Sequence, residues 1–332
     1  MTVLVTGGTG FVGSAVIRSL LKRGDEVRAM TRASSDPALL DGLDVEVVHA
    51  DLDDPESLRK AVSGCSTLFH VAADYRLWVP EPDAIYRTNV EGTRALMRAA
   101  AEAGVERIVY TSSVATLGLH GDARPADEET PSSIEDMVGH YKRSKFLAEQ
   151  AVQALIDDED LPAVIVNPSA PVGPRDIKPT PTGRLILDLA RGRLPAYVDT
   201  GLNVVHVEDV AAGHLLAFDK GRVGERYILG GENLHLGEIA GMVATLAGVK
   251  APKLKLPIGP LMPLAHVIET IWRLTRRTSE PFITTDGLRM ARKLMFFTSA
   301  KAERELGYSP RPAIEAFKDA IMWYDHFIGF RP

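Results

Sequence analysis

Tyr141 and Lys145 stand four residues apart on a helical sequence pattern, a spacing that sets both side chains on one face. A free phenol titrates at about pH 10, too high for easy proton exchange at neutral pH. A nearby ammonium favours the phenolate and is expected to lower that value. The pair reads as a proton donor or acceptor, but the same spacing is common in structural helices, so its weight comes from companions. Tyr110-Thr111-Ser112-Ser113 closes a β-branched run upstream, and a hydroxyl there can hold the oxygen on which the phenol acts. Asn89, in Thr88-Asn89-Val90-Glu91-Gly92-Thr93, is polar on an otherwise apolar and small helical face. It either orients the strand that carries the serines or lies on the surface.

These residues need a scaffold, and the sequence supplies an alternating one. Strands are expected at Val3–Thr6, Glu26–Thr31, Val45–His49, Ser66–Val71, Arg107–Thr111 and Ala163–Val166. Helical spacing covers Phe11–Lys22, Pro55–Val62, Asp83–Ala103 and Ser133–Ile156. Strand–helix alternation of this kind predicts an α/β fold with a parallel, doubly wound Rossmann-type sheet. Ligands of such sheets bind at the C-terminal strand ends, at the topological switch point. Residues 1–170 are expected to form a dinucleotide-binding domain, with elements returning from 200–230. Residues 171–332, a Pro-rich loop followed by short strands and mostly helices, form a smaller substrate-binding region.

The first strand runs into Thr6-Gly7-Gly8-Thr9-Gly10-Phe11-Val12-Gly13, a GxxGxxG turn that opens a helix. In that context the motif is a dinucleotide signature. Gly7 allows the tight turn, Gly10 lets the backbone approach a pyrophosphate, and Gly13 permits close helix–strand packing. The helix N-terminus adds N–H groups and partial positive charge, which makes Thr9, Phe11 and Val12 contact candidates too. At the end of the second strand no carboxylate awaits a ribose 2′-hydroxyl. Arg32 stands there, followed by Ser34 and Ser35. Arg32 is either a fork for a 2′-phosphate, which favours NADP over NAD, or a solvated loop residue. Asp51-Leu52 could bracket an adenine, Ala72 and Ala73 could let the backbone pass beneath the cofactor, and Pro168 closes the set at the sixth strand. A surface turn for Asp51 and simple packing for the alanines are the plainer readings.

Taken together, the glycine turn, Asp51-Leu52, Asn89, Ser113 and Tyr141-x3-Lys145 resemble the extended short-chain dehydrogenase/reductases over nearly the whole chain. Residues 70–78 (HVAADYRLW), 141–149 (YKRSKFLAE) and 173–183 (GPRDIKPTPTG) resemble the hopanoid-associated sugar epimerases, which are similar to dihydroflavonol 4-reductases. The resemblance implies an enzyme that moves a hydride between nicotinamide and a C–OH/C=O centre, as a reductase or a sugar or polyol epimerase. Ser113 and Tyr141 would share the substrate oxygen, and Lys145 would tune the phenol and hold the nicotinamide ribose. It also implies a homodimer in which two long helices from each subunit form a bundle. The other reading of the same fold is a non-catalytic NADP(H)-binding sensor or assembly factor. Such proteins usually lose the Tyr or the Lys, and this chain keeps both.

The sequence departs from its nucleotide-sugar relatives in several places: Leu117-Gly118 stands where they have Tyr-Gly, and no Thr-Asp-Glu or Thr-Glu-Glu triplet of the dehydratases lies at the serine position. Where they carry an Arg that grips a diphosphate, this chain has Leu202, in Leu202-Asn203-Val204-Val205-His206. Tyr75, Trp78, Arg175 and Lys178 are the candidate substrate contacts, with Arg184 nearby; each has a loop or packing reading beside it. His206 reads as structural. Apolar residues at helical spacing within Pro257–Thr275, ending near Arg276-Arg277, suit a core or oligomer interface, or contact with a membrane or a hopanoid-like substrate.

Composition removes other classes. The chain has 332 residues, a formal charge of −6 and 6% aromatics; nucleic-acid partners call for a basic domain or stacking platforms. Cys65 is the single cysteine, which excludes an intramolecular disulfide and a thiolate metal cluster, and no histidine spacing suggests a metal. There is no apolar run of about 18 residues and no visible leader. The expectation is a cytoplasmic enzyme of a small molecule with no integral membrane segment.

Overall fold

The computed structural model of the chain describes residues 2–79, 81–275, 277, 279 and 281–329. Six strands, β1 (Thr2–Thr6), β2 (Glu26–Thr31), β3 (Glu46–His49), β4 (Cys65–His70), β5 (Arg107–Thr111) and β6 (Ala163–Pro168), alternate with helices. Those helices are α1 (Phe11–Arg23), α2 (Pro55–Val62), α3 (Pro82–Tyr86), α4 (Thr93–Glu102) and α5 (Gly139–Glu159). Then follow β7 (Ala170–Val172), α6 (Pro181–Ala190), β8 (Ala196–Val198), β9 (Gly201–His206), α7 (Val207–Lys220), β10 (Arg226–Leu229), β11 (Glu232–His235) and α8 (Leu236–Ala247). The chain continues through β12 (Leu254–Leu256), α9 (Ile258–Leu274), α10 (Thr285–Met290), β13 (Leu294–Met295), α11 (Ala300–Leu306) and α12 (Ala313–Ile328).

Seven strands pair in the order β10-β6-β5-β4-β1-β2-β3, all parallel. This is the doubly wound Rossmann order with one added strand, and it reverses between β1 and β4. Alternate strand residues feed opposite faces. Leu4, Leu68, Ile108 and Ile165 pack beneath α2, α4 and α5. Val3, Val5, Phe69, Val109 and Val164 pack beneath α1 and α7. Burial of both faces explains why these strands read as nearly unbroken apolar runs.

Beyond β6, α7 and β10 return to the main layers, whereas β9 centres a second small sheet with β7, β11 and β13. A third core joins that sheet to α6, α8 and α12 through Val172, Val204, Ile186, Ile239, Phe317 and Tyr324. Among the described residues, no helix is long and apolar enough to cross a membrane.

Two elements differ from their sequence pattern. The expected Asp83–Ala103 helix is α3, a π-helical turn at Arg87–Gly92, and α4. A Cβ on Gly92 would lie 2.7 Å from the Leu52 Cβ, so the widened turn is where the helix backbone meets the third-strand loop. The expected Ser133–Ile156 helix begins only at Gly139, whose φ of 79° is left-handed and cannot continue a helix from upstream. A single 3₁₀ turn, Ile134–Asp136, precedes it, closed by Asp136 accepting from the Ser133 N–H.

The contact of α1 with the glycine turn sets the most demanding packing. A Cβ on Gly13 would lie 2.1 Å from the Gly7 carbonyl oxygen. Gly13→Ala should therefore destabilise the protein by about 1–3 kcal/mol, read as a lower urea midpoint. Gly241, inside α8 with nothing within 4 Å of its Cβ position, is the converse: Gly241→Ala should stabilise by about 0.5–1 kcal/mol.

Candidate active site

The strand ends around the switch point form one concave edge. Gly7 sits at φ 68°, and the Gly10 N–H donates to the Gly7 carbonyl at 2.8 Å, closing the turn. Gly10 caps α1 with no side chain, so the first-turn N–H groups of Phe11, Val12 and Gly13 face outward for an anion. Ala72, after β4, abuts Gly7 so closely that a Gly7 Cβ would lie 2.9 Å from its Cα.

A buried relay holds these two turns together. The Thr6 hydroxyl accepts from the Val71 and Ala72 N–H groups at 3.1 and 3.0 Å. It then donates to His70 Nδ1 at 2.8 Å, and His70 Nε2 reaches the Thr93 hydroxyl at 2.9 Å. Burial and the Lys145 charge push the His70 imidazole down to about 3. It is neutral, with its proton on Nε2.

At the end of β2, Arg32 and Ser34 are exposed. Arg32 makes no side-chain hydrogen bond or ion pair among the described residues. The nearest following carboxylate, Asp36, is taken by the Ala38 N–H at 3.0 Å. Asp51 is exposed and accepts from the Asp53 N–H; Leu52 is buried against Gly92. Ala73 is half-buried, and Pro168 is buried at the end of β6 beside Leu229. The glycine cradle and the unpaired guanidinium fit a dinucleotide laid across this edge.

The reactive set stands over the ends of β5 and α5. Tyr141 is half-buried; burial raises its phenol, and a hydrogen bond from Ser113 partly offsets the rise. Ser113 also accepts from the Ala115 N–H at 3.1 Å. Ser112 is buried, and its hydroxyl has no partner among the described residues; the serine beside the tyrosine is Ser113. Lys145 is buried. Its ammonium donates to the Thr111 carbonyl at 2.8 Å and to the Tyr110 hydroxyl at 3.4 Å, 5.0 Å above the Tyr110 ring. Burial lowers it to about 8, and Glu149 opposes the fall. The sequence expectation of an acidified Tyr141 phenol is thus corrected. Burial raises it and Ser113 offsets only part of the rise, while the Lys145 ammonium makes its short contacts to Thr111 and Tyr110.

Glu149 was missed in the sequence, although it lies one further stride of four from Lys145 on the same face. Its buried carboxylate accepts from Thr116 at 2.9 Å, Asn167 at 2.8 Å and Arg226 at 3.2 Å. Asn167 donates as well to the Ser113 carbonyl at 3.0 Å, as does the Thr116 hydroxyl at 2.8 Å. One carboxylate therefore balances the lysine and braces the turn that carries Ser113.

Asn89 lies in the π turn and is buried. Its oxygen accepts from the Asp74 N–H at 2.7 Å, and its amide donates to the Asp74 carbonyl and the Ser144 hydroxyl. It is neither on the surface nor bonded to the serine strand; it ties the loop after β4 to α5, three residues from Tyr141. On that loop Tyr75 is 47% exposed, its phenol raised by burial and by Asp176 and Asp74. The Trp78 indole N–H is buried without a partner.

The Pro-rich loop departs from its sequence reading. Arg175, expected to meet substrate or solvent, pairs with Glu208 at 2.7 Å. Lys178 and Arg184 remain exposed. The unforeseen residue is Asp176, buried and accepting from the Thr180 N–H and hydroxyl and from Tyr324 at 3.1 Å. It pins the loop to α12. Leu202 packs with the C-terminal core, and His206 caps α7 by accepting from the Glu208 N–H at 3.0 Å. Among the described residues no His, Cys, Asp and Glu cluster could hold a metal.

Residues 3–230 match the model of the NAD dependent epimerase/dehydratase family. A Synechocystis protein named as a dihydroflavonol 4-reductase is 46% identical over 97% of this chain and 94% of its own. Sterol demethylase protein B of Methylococcus capsulatus is 39% identical over 98% of each. The crystal structure of gox2253 superposes with a TM-score of 0.88, at 56% identity and 98% coverage of both chains.

Glu149→Gln keeps the shape but sets amide donors against Arg226 and removes the charge that sustains the Lys145 proton. The variant should lose about 1–3 kcal/mol of stability. Its lysine should titrate below about 8, so the alkaline limb of any pH–rate profile should move to lower pH. In the wild type the unfolded chain keeps this proton up to 10.5 while the folded chain releases it near 8. This lysine's contribution to stability therefore rises with pH between those values.

Proposed function

Since the chain belongs to the NAD dependent epimerase/dehydratase family, the extended short-chain dehydrogenase/reductases, we propose that it is an NADP(H)-linked reductase of a carbonyl carbon. The observation that carries the reading is the placement of Tyr141, on α5, beside Ser113 at the end of β5 and across the sheet edge from the glycine turn. Its phenol is raised by burial, so at neutral pH it holds a proton ready to give. Reduction of a ketone requires that donor.

A nicotinamide dinucleotide held by its pyrophosphate at the glycine turn would supply the hydride. The chain's own residues do the rest. Tyr141 passes its proton to the carbonyl oxygen. Ser113, whose hydroxyl lies beside that phenol, shares the same oxygen and fixes its position. Lys145 stays cationic near neutral pH and stabilises the phenolate left behind, while Glu149 keeps the lysine charged. Gly7, Thr9, Gly10, Phe11, Val12 and Gly13 receive the pyrophosphate. Ala72, Ala73, Asn89 and Pro168 shape the floor, and Asp51-Leu52 borders the adenine.

Three observations support the finer choices. Arg32 is unpaired beside Ser34 where a 2′-phosphate would lie, which favours NADP over NAD. Leu202 packs into a core and cannot grip a diphosphate, which argues against a nucleotide-linked sugar. The reductase name of one relative and the sterol in the name of another support an apolar ketone, in keeping with the hopanoid-associated resemblance. Tyr75 and Trp78 are then its flanking contacts.

Tyr141→Phe should cut turnover by about 10²–10⁴-fold and leave NADPH binding intact. Net consumption of NADPH with an alcohol product is the expected result for the wild type. An inverted product with no net cofactor change would identify an epimerase. Loss of no function in the Tyr141→Phe variant would favour a binding-only sensor. Arg32→Ala should weaken NADPH by about tenfold, the worth of one charge-assisted contact, and leave NADH unchanged; calorimetric titration reads both.

A further inference from the structure

We propose that the outer face of α9 is a docking surface for an anionic lipid membrane. Leu264, Val267, Ile271 and Leu274 recur at intervals of three and four along this helix, so they form one stripe about 15 Å long. They are exposed at 47%, 57%, 47% and 78%, and Phe282, just beyond the helix, at 80%. A contiguous apolar face of this kind marks an interaction site.

The helix cannot turn that face inward. Ala265, Ile268 and Glu269 are its buried side. Glu269 is locked by the Thr285 N–H at 2.6 Å and the Thr285 hydroxyl at 3.0 Å, which fixes α9 against the start of α10. The stripe is held outward by a buried polar anchor.

Charge selects the occupant. Residues 250–293 contain nine Lys or Arg and three Asp or Glu, whereas the whole chain has 38 against 44. The segment that carries the stripe thus has a formal charge of +6 in a protein of net −6; one of its three acids is the buried Glu269, Lys255 pairs with Asp199 and Arg289 with Asp286. Arg273 and Arg277 are exposed at the end of α9; Arg276 of the same run lies outside the described residues. Trp272 lies beneath Arg277, 4.7 Å from its guanidinium carbon. Aliphatic stripe, aromatic ring and basic flank are the features of a helix that lies in the headgroup boundary. A second copy of this chain would bring like charge against like charge there. Arg273 also covers the Trp78 ring at 5.7 Å, so the docked face adjoins the loop bordering the candidate active site. The proposal rests on the surface alone and stands apart from the assigned reaction.

The test is co-sedimentation of the full chain with vesicles of phosphatidylcholine mixed with phosphatidylglycerol, and with phosphatidylcholine alone. The wild type should bind the anionic vesicles at least about tenfold more tightly, less so as salt rises. The double variant Leu264→Glu, Ile271→Glu should lose at least about tenfold of that binding, with melting temperature and mass by light scattering unchanged. Arg273→Glu should weaken it in the same direction. A wild type that ignores anionic vesicles overturns the proposal, as does a double variant that binds them unchanged. A double variant that converts an oligomer into a smaller species also overturns it, since the stripe would then be an interface between copies.

Discussion

The site depends on keeping an ammonium charged inside the protein. Lys145 is 3% exposed, and an unaccompanied charge there would be intolerable. The chain meets that cost with the Thr111 carbonyl, the Tyr110 hydroxyl and ring, and the Glu149 carboxylate. These partners come from β5 and the next turn of α5, so the lysine welds the helix that carries Tyr141 to the strand end that carries Ser113. Glu149 must itself be satisfied, and Thr116, Asn167 and Arg226 do so from three further segments. Holding one proton near pH 8 thereby fixes the serine turn, the tyrosine helix and the edge of the sheet together.

The cofactor edge follows a different rule, that of close backbone approach. Gly7, Gly13 and Gly92 are each demanded by a neighbour within 3 Å of where a Cβ would stand. The neutral His70 beneath them bonds Thr6 and Thr93, so both sides of the cleft floor are tied without placing a charge under the ligand. A rigid floor and an outward-facing helix start are what a pyrophosphate needs. The opposite side is looser: Tyr75, Lys178 and Arg184 are exposed, and Asp176 anchors the Pro-rich loop to α12. The side proposed to meet substrate is therefore the one the fold constrains least.

Much of this was legible in the sequence because it is local. The strand–helix alternation, the glycine turn and the Tyr141–Lys145 stride are all written within a few residues, and each maps onto β1, α1 or α5. What failed was non-local. Asn167 supports Ser113 only because β6 lies beside β5, and Asp176 meets Tyr324 across 148 positions. Arg175 reads as available until Glu208, from another element, takes it. The π turn at Asn89 escaped because apolar spacing does not encode which carbonyl an N–H chooses. Glu149 was within reach, at the next stride after Lys145. The acidity of Tyr141 was misjudged because a sequence gives the charge nearby and not the solvent removed.

The proposed function requires Tyr141 to be a protonated donor at neutral pH. Its ionisation can be followed directly, as the phenolate absorbance of the wild type minus that of Tyr141→Phe across a pH titration. No Tyr141 phenolate is expected until above about pH 10, the ordinary phenol value. A phenolate already formed near pH 7 would contradict it.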